Sequence, residues 1–204
     1  MKKKIGMVVV FAFLTASAFA LSVGGGLLFD YSANNGLETN IAGNDLYTGI
    51  RNTSFGGFVF FDATFVEGDL ILAYGSLTET VKISGVSASV PFGSALQLGV
   101  AVLGKYPFSL GPVTLFPLVG FSYNMVLSAK NDSGVAFSDA GNLSQFGLQG
   151  GVGVDYNLTD SLFIRAEGIF QVRFPSKLFD DYWVGVNKTW GIGPVIKVAL
   201  GYKL

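Results

Sequence analysis

The sequence predicts an all-β fold, an eight-stranded antiparallel up-and-down transmembrane β-barrel, and three observations lead to this prediction. Half of the 204 residues are hydrophobic, yet after residue 20 no apolar run approaches the ~20 residues that a membrane-spanning helix needs. Apolar residues recur at every second position in segment after segment, which is the side-chain period of a β-strand. The connections between these segments alternate between short and long along the chain, which is typical of membrane barrels.

The first twenty residues have the pattern of a cleaved signal peptide. Lys2, Lys3 and Lys4 form a basic start, residues 5–14 are apolar, and Ala18-Phe19-Ala20 has the small-residue pattern of a cleavage site. The apolar run is too short to span a bilayer as an anchor. We therefore expect an exported chain, with a signal peptide at residues 1–20 and one barrel domain at residues 21–204.

Composition excludes several classes of function. Without the three N-terminal lysines the chain has 10 basic and 14 acidic residues, a net charge of −4, which argues against a nucleic-acid-binding surface. The absence of Cys rules out disulfides, and the absence of both Cys and His leaves only carboxylates as strong metal ligands. No cofactor is predicted.

The C-terminal segment shows the alternation most completely. One side of the predicted strand is apolar throughout, and the other carries Lys197, Ala199, Gly201 and Lys203. A strand with one fully apolar face and one small or cationic face suits a barrel wall between lipid and a narrow lumen. The apolar positions are Ile196, Val198, Leu200, Tyr202 and Leu204.

Eight segments follow this pattern, and we predict strands at residues 21–31, 53–66, 70–78, 90–106, 113–127, 143–156, 161–174 and 189–204. The third has apolar or small residues on both faces, so its orientation stays open. Short turns are expected at residues 67–69, 107–112 and 157–160. Longer connections, expected to be exposed surface loops, are predicted at residues 32–52, 80–89, 128–142 and 175–188.

This arrangement places both chain ends and the short turns at one rim of the barrel and the long connections at the other. Aromatic residues near the strand ends then predict two interfacial girdles. The girdle near the loops would contain Tyr31, Phe55, Tyr123, Phe146, Phe174 and Trp190, and that near the turns Phe65, Tyr106, Tyr156 and Tyr202. Pro117 and Pro194 conflict with this scheme, because proline lacks the N–H that a strand ladder needs, so bulges or shifted strand ends are expected there.

The whole pattern, from the first strand to the terminal one, resembles the small eight-stranded outer-membrane proteins of the OmpA, OmpX and OmpW type. The terminal strand is also similar to the one that such barrels present to their assembly machinery, although that family usually ends on an aromatic residue and this chain ends on Leu204. The resemblance implies a bacterial outer-membrane location, with membrane lipid and the assembly machinery as partners. It implies functions that range from surface adhesion and envelope stabilisation to narrow channels.

Charged residues on the inward-facing positions are the main candidate site. The functional interpretation is an ion path or gate, and the structural one is a packed lumen filled with nearly balanced ion pairs. We expect Asp155 to lie diagonal to Arg165, and Lys197 to lie close to Asp30 if Leu204 pairs near Ser22. The candidates are Asp30, Asp62, Lys105, Asp155, Arg165, Glu167, Arg173 and Lys197, together with Lys203 at the end of the chain.

The last long connection carries an acidic and aromatic cluster, Phe179, Asp180, Asp181, Tyr182 and Trp183. Exposed aromatics beside charges can form protein-binding hot spots, so an extracellular protein partner is one hypothesis, and membership of the outer aromatic girdle is the other. Enzymatic activity is not expected, because lipid-modifying and proteolytic barrels of the family use His as general base and this chain has none.

Two alternatives stay open. A secreted lipocalin-like barrel would have the same strand count with the polarity reversed, but Arg165, Glu167 and Arg173 on one face would spoil an apolar ligand pocket. A narrow channel of the OmpW kind is the alternative to a surface-interaction or envelope-structural role. A wide porin is excluded, since general diffusion channels need about sixteen strands.

Overall fold

The computed structural model describes residues 21–41, 44–84, 86–175 and 187–204, and the candidate signal peptide and Phe179–Trp183 lie outside these ranges. The described residues form ten β-strands and one short 3-10 helix, Ala140–Leu143. Eight long strands build the wall and two short ones extend it. The strands are β1 Ser22–Ile41, β2 Asn44–Asp62, β3 Val66–Ile83, β4 Val86–Lys105, β5 Phe108–Leu110, β6 Val113–Asn131, β7 Gln145–Asn157, β8 Leu162–Arg173, β9 Asn187–Thr189 and β10 Gly191–Lys203.

The long strands form a closed antiparallel ring, which confirms the predicted eight-stranded up-and-down barrel. Each pairs with its neighbours in the order β1, β2, β3, β4, β6, β7, β8, β10, and β10 returns to β1. The closing pair runs from Ser22 opposite Lys203 to Asp30 opposite Val195. Closure removes the free edges that an open sheet would leave along the wall. No helix in the described part of the chain is long and apolar enough to cross a membrane.

Short connections lie at one rim, here called the turn rim, and the opposite end is called the hairpin rim. The β2–β3 turn lies at Ala63–Phe65, where Thr64 has a positive φ of 64° and its N–H donates to Asp62 Oδ1 at 2.9 Å. The predicted turn at residues 67–69 was therefore wrong. Those residues belong to β3, which places Glu67 and Asp69 on the lumen side of the wall.

The hairpin rim differs most from the sequence prediction. The expected loop at residues 32–52 is largely strand, because β1 runs to Ile41 and β2 starts at Asn44. The expected loop at residues 80–89 is also strand, with β3 ending at Ile83 and β4 starting at Val86. The backbone of each hairpin continues the ladder that the barrel has already started, so polar composition alone does not end the strands. β6 likewise continues to Asn131.

Both prolines coincide with interruptions of the ladder on one side. The pairing of β4 and β5 with β6 has a break at Tyr106 and Pro107, which by register lie opposite Pro117 and Phe116. The β1–β10 pairing skips from Asp30–Val195 to Ala33–Ile192, which is where Pro194 lies. On the other side, Pro117 stays paired with Val152 and Pro194 with Phe170. The ladder therefore tolerates each missing N–H by opening locally.

β4 also contains one extra residue relative to β3. Leu77 pairs with Gly93 and Thr78 pairs with Pro91, so Phe92 has no partner of its own in the register. This β-bulge lies where β4 leaves the barrel wall, and Phe92 packs its ring on Phe137 at a centroid distance of 5.4 Å.

Close approach of β1 and β10 gives a test of ring closure. A Cβ at Gly26 would meet the backbone of Val198 and Ala199, whereas a Cβ at Gly57, on the outer face of the wall, would meet only the Gly26 carbonyl oxygen at 3.6 Å. We expect Gly26→Ala to destabilise the barrel by about 1–3 kcal/mol, the usual cost of overpacking. Gly57→Ala is the matched control. The measurement is the temperature at which heat-modifiable gel mobility is lost, and equal temperatures for the two variants would contradict the closing register.

Candidate functional site in the barrel lumen

Strand alternation sends one set of side chains into the lumen, and many of them are ionisable. Among the described residues, six carboxylates and four cations take part in buried ion pairs. The carboxylates are Asp30, Asp62, Glu67, Asp69, Asp155 and Glu167, and the cations are Lys105, Arg165, Arg173 and Lys197.

Arg165 on β8 is the centre of the largest group, near the turn rim. Its Nε and Nη2 donate to the two carboxylate oxygens of Asp155 at 2.7 Å each, and Nη2 also donates to Asp62 Oδ2 at 2.6 Å. Its Nη1 donates to Glu67 Oε2. One guanidinium therefore engages carboxylates from β2, β3 and β7, which ties strands from opposite sides of the ring together.

Lys105 completes this group from β4. Its Nζ contacts Asp62 and lies 3.7 Å from Glu67 Oε2. We call Asp62, Glu67, Lys105, Asp155 and Arg165 the turn-side cluster. Asp155 lies directly opposite Arg165 in the β7–β8 register, a closer placement than the expected diagonal one.

A second group lies further into the lumen. Lys197 Nζ donates to Asp69 and, at 3.0 Å, to Glu167 Oε2, and all three side chains are fully buried. Lys197 was expected close to Asp30, and the closing register places the two residues diagonal to each other, but their ion pairs are made with other residues. Lys197 lies directly opposite Leu28, and Asp30 accepts a hydrogen bond from Arg173 on β8.

Aromatic rings surround the turn-side cluster. The Arg165 guanidinium carbon lies 4.4 Å from the ring centroid of Phe60, 5.1 Å from that of Phe116 and 5.2 Å from that of Phe163. Lys105 Nζ lies 4.4 Å from the Phe116 centroid. Cation–π attraction in a site shielded from water therefore adds to the ion pairs, and the rings occupy the space between them.

The lumen is more apolar than the sequence suggested. A contiguous buried cluster of twelve hydrophobic residues, which includes Leu28, Phe58, Ile71 and Leu118, packs among the ion pairs. Small residues make room for the rings, since a Cβ at Gly153 would run into Phe116 and one at Gly201 into Phe163. This packing is what an eight-stranded barrel of small diameter requires.

Sequence reasoning missed Glu67 and Asp69, because a Glu-Gly-Asp sequence between two apolar runs is typical of a turn. The signal that could have identified them is the parity of β3, in which every second residue from Glu67 to Leu77 is buried. Lys203 differs from the other candidates. It lies at the turn rim and donates to Asn157 Oδ1 at 2.7 Å.

A cavity of about 40 Å³ lies above the ion pairs towards the hairpin rim. Its lining is mixed, with Asn52, Gln97, Asn124 and Arg173 beside apolar side chains such as Leu77. Within the described residues no group of His, Cys or acidic side chains has the arrangement of a metal site. The site is therefore a packed ionic interior with a small space of mixed lining above it.

Removing the central guanidinium tests the turn-side cluster. Arg165→Met removes the principal partner of Glu67 and Asp155 and leaves Asp62 with Lys105 alone. Breaking a buried ion pair costs about 3–5 kcal/mol. We expect a lower midpoint of urea unfolding in lipid vesicles, followed by tryptophan fluorescence. Lys203→Met, which removes one hydrogen bond at the turn rim, should change the free energy of unfolding by about 1 kcal/mol or less. Similar midpoints for both variants would show that the cluster does not stabilise the barrel.

Comparison with known proteins gives relatives by structure only. No family model and no curated protein sequence matches this chain. The crystal structure of the outer membrane protein OprG from Pseudomonas aeruginosa matches with a TM-score of 0.51 and 16% identity, over 91% of this chain and 96% of that one. Neisserial surface protein A (NspA) matches with a TM-score of 0.52 and 12% identity, over 90% of this chain and 97% of that one. The chain therefore has the fold of small outer-membrane β-barrel proteins, as the resemblance predicted.

Proposed function

We propose that the protein is an integral outer-membrane β-barrel with a closed lumen, which acts through the strands and loops beyond its hairpin rim. The observation that carries this proposal is reversed polarity. Large apolar side chains are exposed on the outside of the wall while ion pairs fill the inside. Leu27 is 75% exposed, Phe55 64%, Val119 69% and Val152 66%. Such a belt is unfavourable in water and favourable in lipid.

Aromatic contacts at both rims support a membrane position. Towards the hairpin rim the rings of Phe146, Phe174 and Trp190 form a row, with centroid distances of 5.7 Å and 5.3 Å. At the turn rim Phe65 and Tyr106 lie 6.1 Å apart, and Tyr106 and Phe108 lie 5.0 Å apart. Aromatic side chains are favoured where hydrocarbon meets the polar headgroups.

The packed lumen supports a structural or surface role rather than transport. Arg165, Phe60, Phe116, Phe163 and Lys197 are among the largest fully buried side chains, and all of them point into the barrel. A solute would have to displace paired charges and aromatic rings together. The same charges argue against a lipocalin-like ligand pocket, which would need an apolar interior.

The proposed role is non-enzymatic, and its partners belong to the surface. The resemblance suggests the assembly machinery as a transient partner of the terminal strand, in which Ile196, Val198, Leu200 and Tyr202 are exposed on the outer face. The hypothesis that Phe179–Trp183 binds an extracellular protein stays a prediction. Side chains on the wall either face outward, towards the proposed lipid, or pack in the lumen. Side chains beyond the hairpin rim have neither role, so a binding site for a partner is expected there.

Detergent partitioning tests the membrane proposal. The apolar belt predicts that the mature protein enters the detergent phase and that unheated samples migrate differently from boiled samples on gels. A mature protein that stays in the aqueous phase and shows no heat-modifiable mobility would contradict the proposed location.

Liposome swelling tests the closed lumen. Purified protein in vesicles should give essentially no sugar uptake, because the ion pairs and rings block the barrel. A general diffusion porin of about sixteen strands in the same vesicles serves as the positive control for sugar uptake. Rapid sugar uptake through the unmodified protein would instead favour the narrow-channel alternative, for which the mixed polar cavity beside Arg173 is the supporting observation.

A further inference from the structure

The upper part of β4 has an open edge. β4 pairs with β3 from Val86 onwards, but its pairing with β6 starts only at Gly93, opposite Asn131. Residues 86–91 therefore have a partner strand on one side, and no strand of the described chain covers the other. An uncovered edge is a template for another strand, and proteins usually protect it with charges or proline. Here residues 86–90 carry no charge, and Pro91 marks the end of the open stretch.

The hairpin geometry determines which backbone groups are free for pairing. Two residues connect Ile83 to Val86, and Ser84 has the positive φ of 47° that such tight hairpins use. Ile83 and Val86 then form a hydrogen-bonded pair, so the N–H and C=O groups of Ser87 and Ser89 point away from β3. The hydroxyls of Thr80 and Ser89 lie 3.0 Å apart, as expected for a pair without backbone bonds, whose side chains come closest.

The sequence of this edge is complementary to itself. Residues 86–90 read Val-Ser-Ala-Ser-Val in both directions. We propose that the occupant of the edge is the same edge of a second copy of this chain, paired antiparallel about a two-fold axis at Ala88. Such an interface is isologous, because the same strand edge of both copies is buried and every contact between two residues occurs twice, related by the two-fold axis.

This register uses the free groups that the hairpin offers. Ser87 of one copy faces Ser89 of the other, and each pair exchanges two N–H···O=C bonds, which gives four bonds in total. Val86 faces Val90 of the second copy, and the two Ala88 residues face each other. A register centred on Ser89 would place Ser87 opposite Pro91, which has no N–H to donate. Pro91 therefore favours the register centred on Ala88.

An exposed apolar face supports the same pairing. Cross-strand partners share a face, so Ile83 and Val86 lie on one side of the hairpin together with Ala88 and Val90, and the charged Glu79 lies on the same side at its lower end, opposite Val90. Ile83 is 52% exposed, Val86 74% and Val90 53%. In the paired state the two hairpins form a four-stranded sheet in which these side chains lie in one continuous row across the interface, where cross-strand apolar pairs stabilise the sheet.

The direction of the strands determines where the second copy lies. The hairpin rises from the barrel at the hairpin rim, and an antiparallel partner must approach from the opposite direction. If the barrel spans the outer membrane as proposed above, the second barrel lies in a facing membrane, and the interaction joins two cells. A single contact of this size is weak, but many parallel contacts between two surfaces multiply its strength.

A cysteine on the two-fold axis tests the register, because the chain has no cysteine of its own. In an antiparallel pair without backbone bonds the Cα atoms lie about 4.5 Å apart, which a disulfide can bridge. We expect Ala88→Cys protein to form disulfide-linked dimers between two vesicle populations whose protein copies carry different epitope tags. Val90→Cys is the matched control and should stay monomeric, since it faces Val86 of the other copy. A mixture of Val86→Cys vesicles with Val90→Cys vesicles should cross-link again.

Ser89→Pro and Ser89→Thr test the backbone bonds. Proline at this position removes one donor from each copy without removing a bond to β3, and should abolish vesicle clustering measured by light scattering. Threonine keeps the N–H and should preserve clustering. The inference is wrong if Ala88→Cys and Val90→Cys cross-link alike, if neither does, or if dimers form only within one vesicle population. Heat-modifiable mobility in the same vesicles reports the membrane barrel separately, so its loss would contradict the proposed function instead.

Discussion

Closure of the sheet between β1 and β10 is the constraint on which the rest of the structure depends. Once Ser22 pairs with Lys203 and the ladder continues to Asp30, every residue of the wall faces either outward or inward. Successive side chains of a strand point to opposite faces. A shift of the strand register by one residue would therefore exchange all the outward and inward positions of that strand. The exposed apolar belt and the buried ion pairs are therefore two results of one register.

The lumen combines two demands that conflict in water-soluble proteins. Buried charges lose their hydration, so they must be paired closely, yet a narrow barrel must also be filled without voids. Arg165 meets both demands, because its planar guanidinium bonds three carboxylates while its faces lie near the rings of Phe60 and Phe163. Lysine could not replace it in this role, since an ammonium group lacks the planar fork of donors.

Alternation in the sequence predicted the fold and most outward-facing positions, because in most strands the outward-facing positions carry large apolar side chains and the inward-facing ones carry polar, charged or small side chains. The prediction failed where that contrast disappears. β3 presents Ile71 and Ala73 to the lumen and Leu70 and Leu72 to the outside, so its faces look alike in composition. The partners of the charged residues were harder to predict, because Asp69 and Lys197 are brought together only by packing across the ring.

The single extra residue at Phe92 marks the boundary between the closed wall and the hairpin that extends beyond it. Below the bulge, the odd-numbered residues of β4 face the lumen. Above the bulge, the even-numbered residues of β4 are on that same side of the sheet, because they pair with the odd-numbered residues of β3. The segment above the bulge lies beyond the closed wall, so it can gain or lose two residues on each strand without exchanging the outward and inward positions of the wall. The same barrel can therefore carry hairpins of different length, with the alternating residue pattern of its wall unchanged.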